Sequence, residues 1–226
     1  MTLLLLVRHA STDWVGRGLA GRMPGVGLSD KGRVEIVALQ DRLAGHDLVA
    51  LYASPLERTM TTAAAIAVGR PLAIQPLPAV QEVDFGEWTG RTLDDLRRDP
   101  LWPVVQSSPS RMRFPGGESP LEVQARAVAA IEEVLARHPA GAVGVVSHAD
   151  VIKILLATYA GAPLDAFQRF DVAPASISAI QFQDGRPTLL LVNHCGALPQ
   201  PVAPLPVDAS IAGALSPTPV EEDSHV

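Results

Sequence analysis

Apolar positions along this chain fall into two kinds of run. Short, unbroken stretches at 3–7, 48–53 and 142–146 stand between polar or turn residues, the pattern of strands buried on both faces of a sheet. Other apolar residues recur at helical spacing. Ile36, Leu39 and Leu43 follow a Ser29-Asp30 cap, Leu121, Ala125, Val128, Ile131 and Leu135 follow the turn at 114–120, and further helices are predicted over 59–68 and 151–159. Ser54 and Pro55 suit the cap and first position of the helix after the second strand, which places Arg58 near its positive end.

Weaker signals complete the pattern. An edge strand is expected at 71–75 and short helices at 93–98 and 102–106, while 80–90, with three carboxylates, two aromatics and two glycines, is expected to be irregular. Glycines at 16, 18, 21, 25 and 27 mark a loop passing over the strand ends. Runs at 177–182 and 188–192, joined by a turn at Asp184-Gly185, predict an antiparallel hairpin at the sheet border. The order of elements implies an α/β protein, a three-layer α/β/α sandwich with a mainly parallel central sheet. Residues 1–195 are expected to form one globular domain, and the proline-rich, acidic stretch 196–226 a disordered tail.

Composition narrows the function. With 47% hydrophobic residues in 226, the chain can bury a large core. A net charge of -6 argues against nucleic acid or an anionic membrane as partner, so any anion site must be local. The lone Cys195 has no internal partner, and no run reaches the roughly 20 apolar residues of a membrane span. A soluble, cytoplasmic protein is expected, and the sequence leaves its oligomeric state open, a homodimer included.

Local cationic groups sit where ligands of α/β sheets bind, beyond the carboxyl ends of strands. Arg8 and His9 end the first strand, Arg58 follows the second and His148 ends the third strong one. Arg8-His9-Ala10, Ser54-Pro55-Leu56-Glu57-Arg58, Gly116-Gly117-Glu118-Ser119 and Ser147-His148-Ala149 together resemble, in order and context, the motifs of the histidine phosphatase superfamily, also called phosphoglycerate-mutase-like, over about residues 2–193.

The resemblance implies a metal-independent phosphatase that hydrolyses a small phosphomonoester through a phosphohistidine, with no cofactor. His9 would be the nucleophile, since a neutral imidazole attacks phosphorus and its phosphoryl adduct is readily hydrolysed. Arg8, Arg58 and His148 would supply donors to the equatorial oxygens of the transferring group. Glu82 matches the family's acid, with Asp84 and Glu87 as weaker candidates, and Thr12, Gly21 and Arg22 are expected to bind substrate. Three positions depart from the family pattern: Ala10 and Ala149 replace glycines after the two histidines, and Val15 replaces an asparagine.

Alternatives remain at this stage. A phosphoglycerate-mutase-type transfer uses the same residues, although the short, lysine-free stretch 91–114 favours a phosphatase. A metallohydrolase built on His9, His148, Asp150 and Glu82 would place Arg8 and Arg58 against a cation. A non-catalytic phospholigand-binding protein is the third. Arg17, Arg22, Arg111 and Arg113 are candidates for holding an anionic substrate tail. Trp88 and Trp102 are expected to pack, and His46, His138, His194 and His225 to lie at the surface.

Overall fold

The structure, a computed structural model, describes residues 1–196. The expected disordered tail, its first residue apart, lies outside the described residues. β1 (Thr2–Arg8), α1 (Asp30–Leu43), β2 (Leu48–Ala53), α2 (Glu57–Ala67) and β3 (Ile74–Pro76) come first. Short helices α3 (Leu93–Leu96) and α4 (Trp102–Ser107) lead to α5 (Pro120–Arg137), β4 (Gly141–Ser147), α6 (Ala149–Tyr159), β5 (Ile177–Gln183) and β6 (Arg186–His194). Among the described residues no helix is long and apolar enough to cross a membrane.

The six strands form one sheet in the order β3-β2-β4-β1-β5-β6. β1, β2, β3 and β4 run parallel, and β5 pairs antiparallel with both β1 and β6, which makes the expected hairpin at the border. The unbroken apolar run of β1 follows from burial on both faces. Leu4 and Leu6 join a core with α5 and α6, while Leu5 and Val7 join a second core with α1 and α2. The three-layer sandwich is therefore present, with the carboxyl ends of β1, β2 and β4 at one edge.

Two local expectations are corrected. Helix α2 begins at Glu57 with Leu56 as its cap, not at Ser54. Ser54 instead extends the β2–β4 ladder, its N–H donating to the Val146 carbonyl at 3.0 Å, because a residue before proline favours extended backbone. His46 is buried rather than exposed. Arg70 donates to the carbonyls of His46 and Leu43 and closes the chain over that corner.

Candidate active site

The parallel ladder sets the first contacts. Arg8 at the end of β1 pairs in register with Ser147 at the end of β4, so His9 and His148 leave adjacent strands side by side, their rings 5.2 Å apart. From β2 the chain turns directly into α2 and carries Arg58 between them. Arg58 Nε donates to His9 Nε2 at 3.3 Å, and Nη2 donates to His148 Nδ1 at 3.2 Å and to the Gly21 carbonyl at 2.7 Å. Arg8 donates from Nη1 to the Val172 carbonyl at 2.6 Å. Arg8 Nε and Arg58 Nη1 are buried and make no hydrogen bond within the protein.

These contacts fix both tautomers. The Ala10 carbonyl can only accept, so His9 Nδ1, 2.8 Å away, carries the proton, and Nε2 presents a lone pair. A guanidinium can only donate, so His148 Nδ1 accepts from Arg58 and its Nε2–H donates to Ser54 Oγ at 2.8 Å. Burial, followed by Arg58 and Arg8, holds the His9 imidazole well below its ordinary value. Burial and then the neighbouring His9 and Arg58 do the same for His148. Both rings are neutral at pH 7.

Glu82 enters from the irregular segment between β3 and α3. Its Oε2 lies 3.9 Å from His148 Nδ1, and its Oε1 accepts from the Val83 N–H at 3.0 Å. Burial and then Asp150 push its carboxyl up to about 7, against the opposing pull of Arg58. The backbone of Glu82 is clamped: its carbonyl accepts from Arg22 Nε at 2.8 Å and Arg126 Nη2 at 3.3 Å. Glu118 ties that clamp together, pairing with Arg22 and Arg126 at 2.9 Å each and accepting from the Asp84 N–H.

These groups open into a cavity of about 310 Å³. Arg8, His9, Thr12, Gly21, Arg58 and Glu82 line it. His148 is fully buried and does not line the cavity, and the expected donation from it to a phosphoryl oxygen finds no free N–H: its Nδ1 accepts from Arg58 and its Nε2–H is held by Ser54. Arg22 does not line the cavity and serves the Glu82 loop instead. Arg17, Arg111 and Arg113 are also outside it, and Arg113 is spent on Glu122 and the Gly117 carbonyl. Asp84 Oδ1 accepts from the Gly86 N–H within its own turn. Trp88 is fully buried against Trp102 and Phe114, though both tryptophans touch the cavity.

The alanines are accommodated without strain. Ala10 is not among the described non-glycine residues with left-handed backbone, and it packs into the core rather than lining the cavity. Ala149 opens α6 and Val15 lines the cavity. Among the described residues no three His, Cys, Asp or Glu side chains are grouped to hold a metal ion.

Arg126, Lys153 and Gln168 are parts of this region that sequence reasoning missed, and Ser54 and Glu118, quoted there only as a cap or within motifs, had been given no contact in it. Lys153 carried a usable signal: it lies one helical turn beyond Asp150, just after His148, so helical spacing puts it on the same face.

Comparisons with known proteins agree with the fold. A family model described as histidine phosphatase superfamily (branch 1) matches residues 4–194. The chain is 32% identical to phosphoserine phosphatase 1 of Hydrogenobacter thermophilus over 85% of its length and 92% of the relative. It is 30% identical to a probable phosphoglycerate mutase, GpmB, of Cronobacter sakazakii, over 81% and 86% of the two chains. Among solved structures, YhfR of Bacillus stearothermophilus superposes with a TM-score of 0.80 at 30% identity, covering 85% of this chain and 97% of that one.

Proposed function

The chain belongs to the histidine phosphatase superfamily, and on that premise we propose that it is a metal-independent phosphatase acting on a small phosphomonoester through a phosphohistidine at His9. The carrying observation is the His9 tautomer. With Nδ1–H held on the Ala10 carbonyl, Nε2 carries the lone pair, which in the resting site accepts from Arg58 Nε at 3.3 Å and is released when that N–H turns to a bound phosphoryl group, while Arg8 Nε and Arg58 Nη1 have no hydrogen-bond partner in the protein.

In the first step Nε2 attacks phosphorus and the ester P–O bond breaks. Arg8 and Arg58 donate to the equatorial oxygens, and Glu82, protonated because its carboxyl titrates near 7, gives its proton to the departing alkoxide. In the second step the Glu82 carboxylate takes a proton from water. The resulting hydroxide attacks phosphorus, the P–N bond breaks, and its electron pair returns to Nε2. Deleting either arginine is expected to lower kcat by about 10² to 10³.

A brief reaction with a labelled phosphomonoester tests the reading. Wild type should carry acid-labile, base-stable label that is lost in His9→Ala, and should release inorganic phosphate. Orthovanadate should inhibit turnover, and EDTA should leave it unchanged. Return of the label to an isomerised substrate would identify a mutase, and neither label nor turnover on a substrate panel would identify a binding protein.

A further inference from the structure

The cavity is lined by two unlike sets of residues. One is aromatic, with Trp14, Phe85, Trp102 and Phe114 prominent. The other belongs to α6 and the 3₁₀ turn Leu164–Arg169, which present Asp150, Lys153 and Gln168 to the same space. Lys153 Nζ donates to Gln168 Oε1 at 3.3 Å and stands 3.9 Å from Asp150 Oδ1.

This pair is built unlike a structural ion pair. Its side chains are only 24% and 18% exposed, so both charges are partly removed from water, yet their contact is at the long limit for an ion pair. At that separation neither charge is repaid by a tight hydrogen bond to the other. Lys153 keeps two of its three N–H donors beyond the bond to Gln168, and Asp150 keeps carboxylate lone pairs for a donor arriving from the cavity. In the two-step mechanism neither group touches the reacting atoms, and Asp150 enters only through its charge beside Glu82.

We infer that Asp150, Lys153 and Gln168 form the specificity pole of the site, reading a substrate that carries an ammonium and a carboxylate together, an amino-acid-like phosphomonoester. Asp150 takes the ammonium and Lys153 the carboxylate, with Gln168 holding the lysine in place. A substrate with only an anionic tail meets Asp150, and one with only a cationic tail meets Lys153. A zwitterion satisfies both charges. The volume of about 310 Å³ suits a phosphoryl group on a skeleton of a few carbons, at the lower end of the ligand-pocket range.

The inference rests on the phosphatase reading, and the test separates the two. The kcat/KM values of O-phospho-L-serine, 3-phosphoglycerate and O-phosphoethanolamine are compared, with p-nitrophenyl phosphate as a check on chemistry. The second compound replaces the ammonium with a hydroxyl, and the third lacks the carboxylate. Wild type should prefer the zwitterion to each by about tenfold or more. Asp150→Asn should collapse the serine-to-glycerate ratio, and Lys153→Met the serine-to-ethanolamine ratio. Ratios within one variant do not depend on the fraction folded. Turnover of p-nitrophenyl phosphate without that preference, or variants that shift all three substrates by one factor, would overturn the specificity pole and leave the phosphatase standing. No turnover of any of the four and no label on His9 would overturn both.

Discussion

In the proposed mechanism Glu82 is the proton donor, and burial is what suits an ordinary carboxyl to that part. Its side chain is 12% exposed and faces Asp150, and the two effects together place its titration near 7. For an alkyl phosphomonoester, kcat/KM is expected to fall about tenfold per pH unit above that value, since the leaving alkoxide then finds no proton. Burial holds His9 well below its ordinary range, so the proposed nucleophile sets no limb there. Glu82→Gln should cost about 10² to 10⁴ in kcat/KM on an alkyl ester and far less on p-nitrophenyl phosphate, whose leaving group departs unprotonated, while kcat falls for both because the second step needs the Glu82 carboxylate as base. Stability follows the same proton. Because the folded carboxyl binds a proton that the unfolded chain has already released, its contribution is full below the ordinary carboxyl value and is lost as pH rises through about 7. Glu82→Gln escapes that loss. In urea unfolding it should gain on wild type between pH 5 and 8, by up to about 3 kcal/mol. A difference that stays flat with pH would mean that the folded carboxyl is ionised throughout.

Helix α1 does more than cover the sheet, because it holds the loop that follows His9. Ser29 donates from both N–H and hydroxyl to the Ser11 carbonyl, and Glu35 receives the Ser11 N–H and hydroxyl at 2.7 and 2.8 Å. Gly32 allows this approach, since a Cβ there would stand 2.1 Å from the Ser11 carbonyl oxygen. By helix propensity alone, Gly32→Ala would gain about 1 kcal/mol. The expected outcome is the reverse, a loss of stability in urea unfolding together with reduced kcat, as Ser11 and then His9 are displaced. A gain would mean that the loop yields freely. Such devices were hidden in the sequence, whereas the elements themselves were not. Burial on both faces leaves its mark in the unbroken apolar run Leu3 to Val7 of β1, and the turn at 114–120 announces α5. Arg8, His9, Arg58 and His148 were legible because each stands beside a strand end. Ser54 was mistaken for a cap because its partner, His148, is distant in sequence. The clamp of Arg22, Glu118 and Arg126 on Glu82 was unreadable for the same reason, since it depends on which loops abut. Gly86 and Gly117 mark that abutment: a Cβ on either would strike the other loop's backbone at 2.1 or 2.2 Å.

At the scale of the molecule, the sheet order gathers charge against the overall balance. The chain carries a net charge of -6, yet β1, with β2 through α2, delivers the half-buried Arg8 and the buried Arg58 to the strand ends where two neutral histidines stand. Burial lowers the pKa of both Arg8 and Arg58, and Arg8 adds to the effect on Arg58. The fold thus holds two like charges close together in a poorly solvated site, each with an N–H that bonds to nothing in the protein. A tetrahedral oxyanion relieves both costs, and only the folded chain offers it that arrangement. Orthovanadate at about a hundred times its dissociation constant should stabilise the protein by about 2.7 kcal/mol. For a chain of this size that is a rise in Tm of roughly 5 to 10 °C. Arg58→Gln should lose most of the rise, whatever its own Tm, because the response is measured within each protein. Equal shifts in wild type and variant would place the anion elsewhere, and the convergence of β1 and α2 would then have no part in holding it.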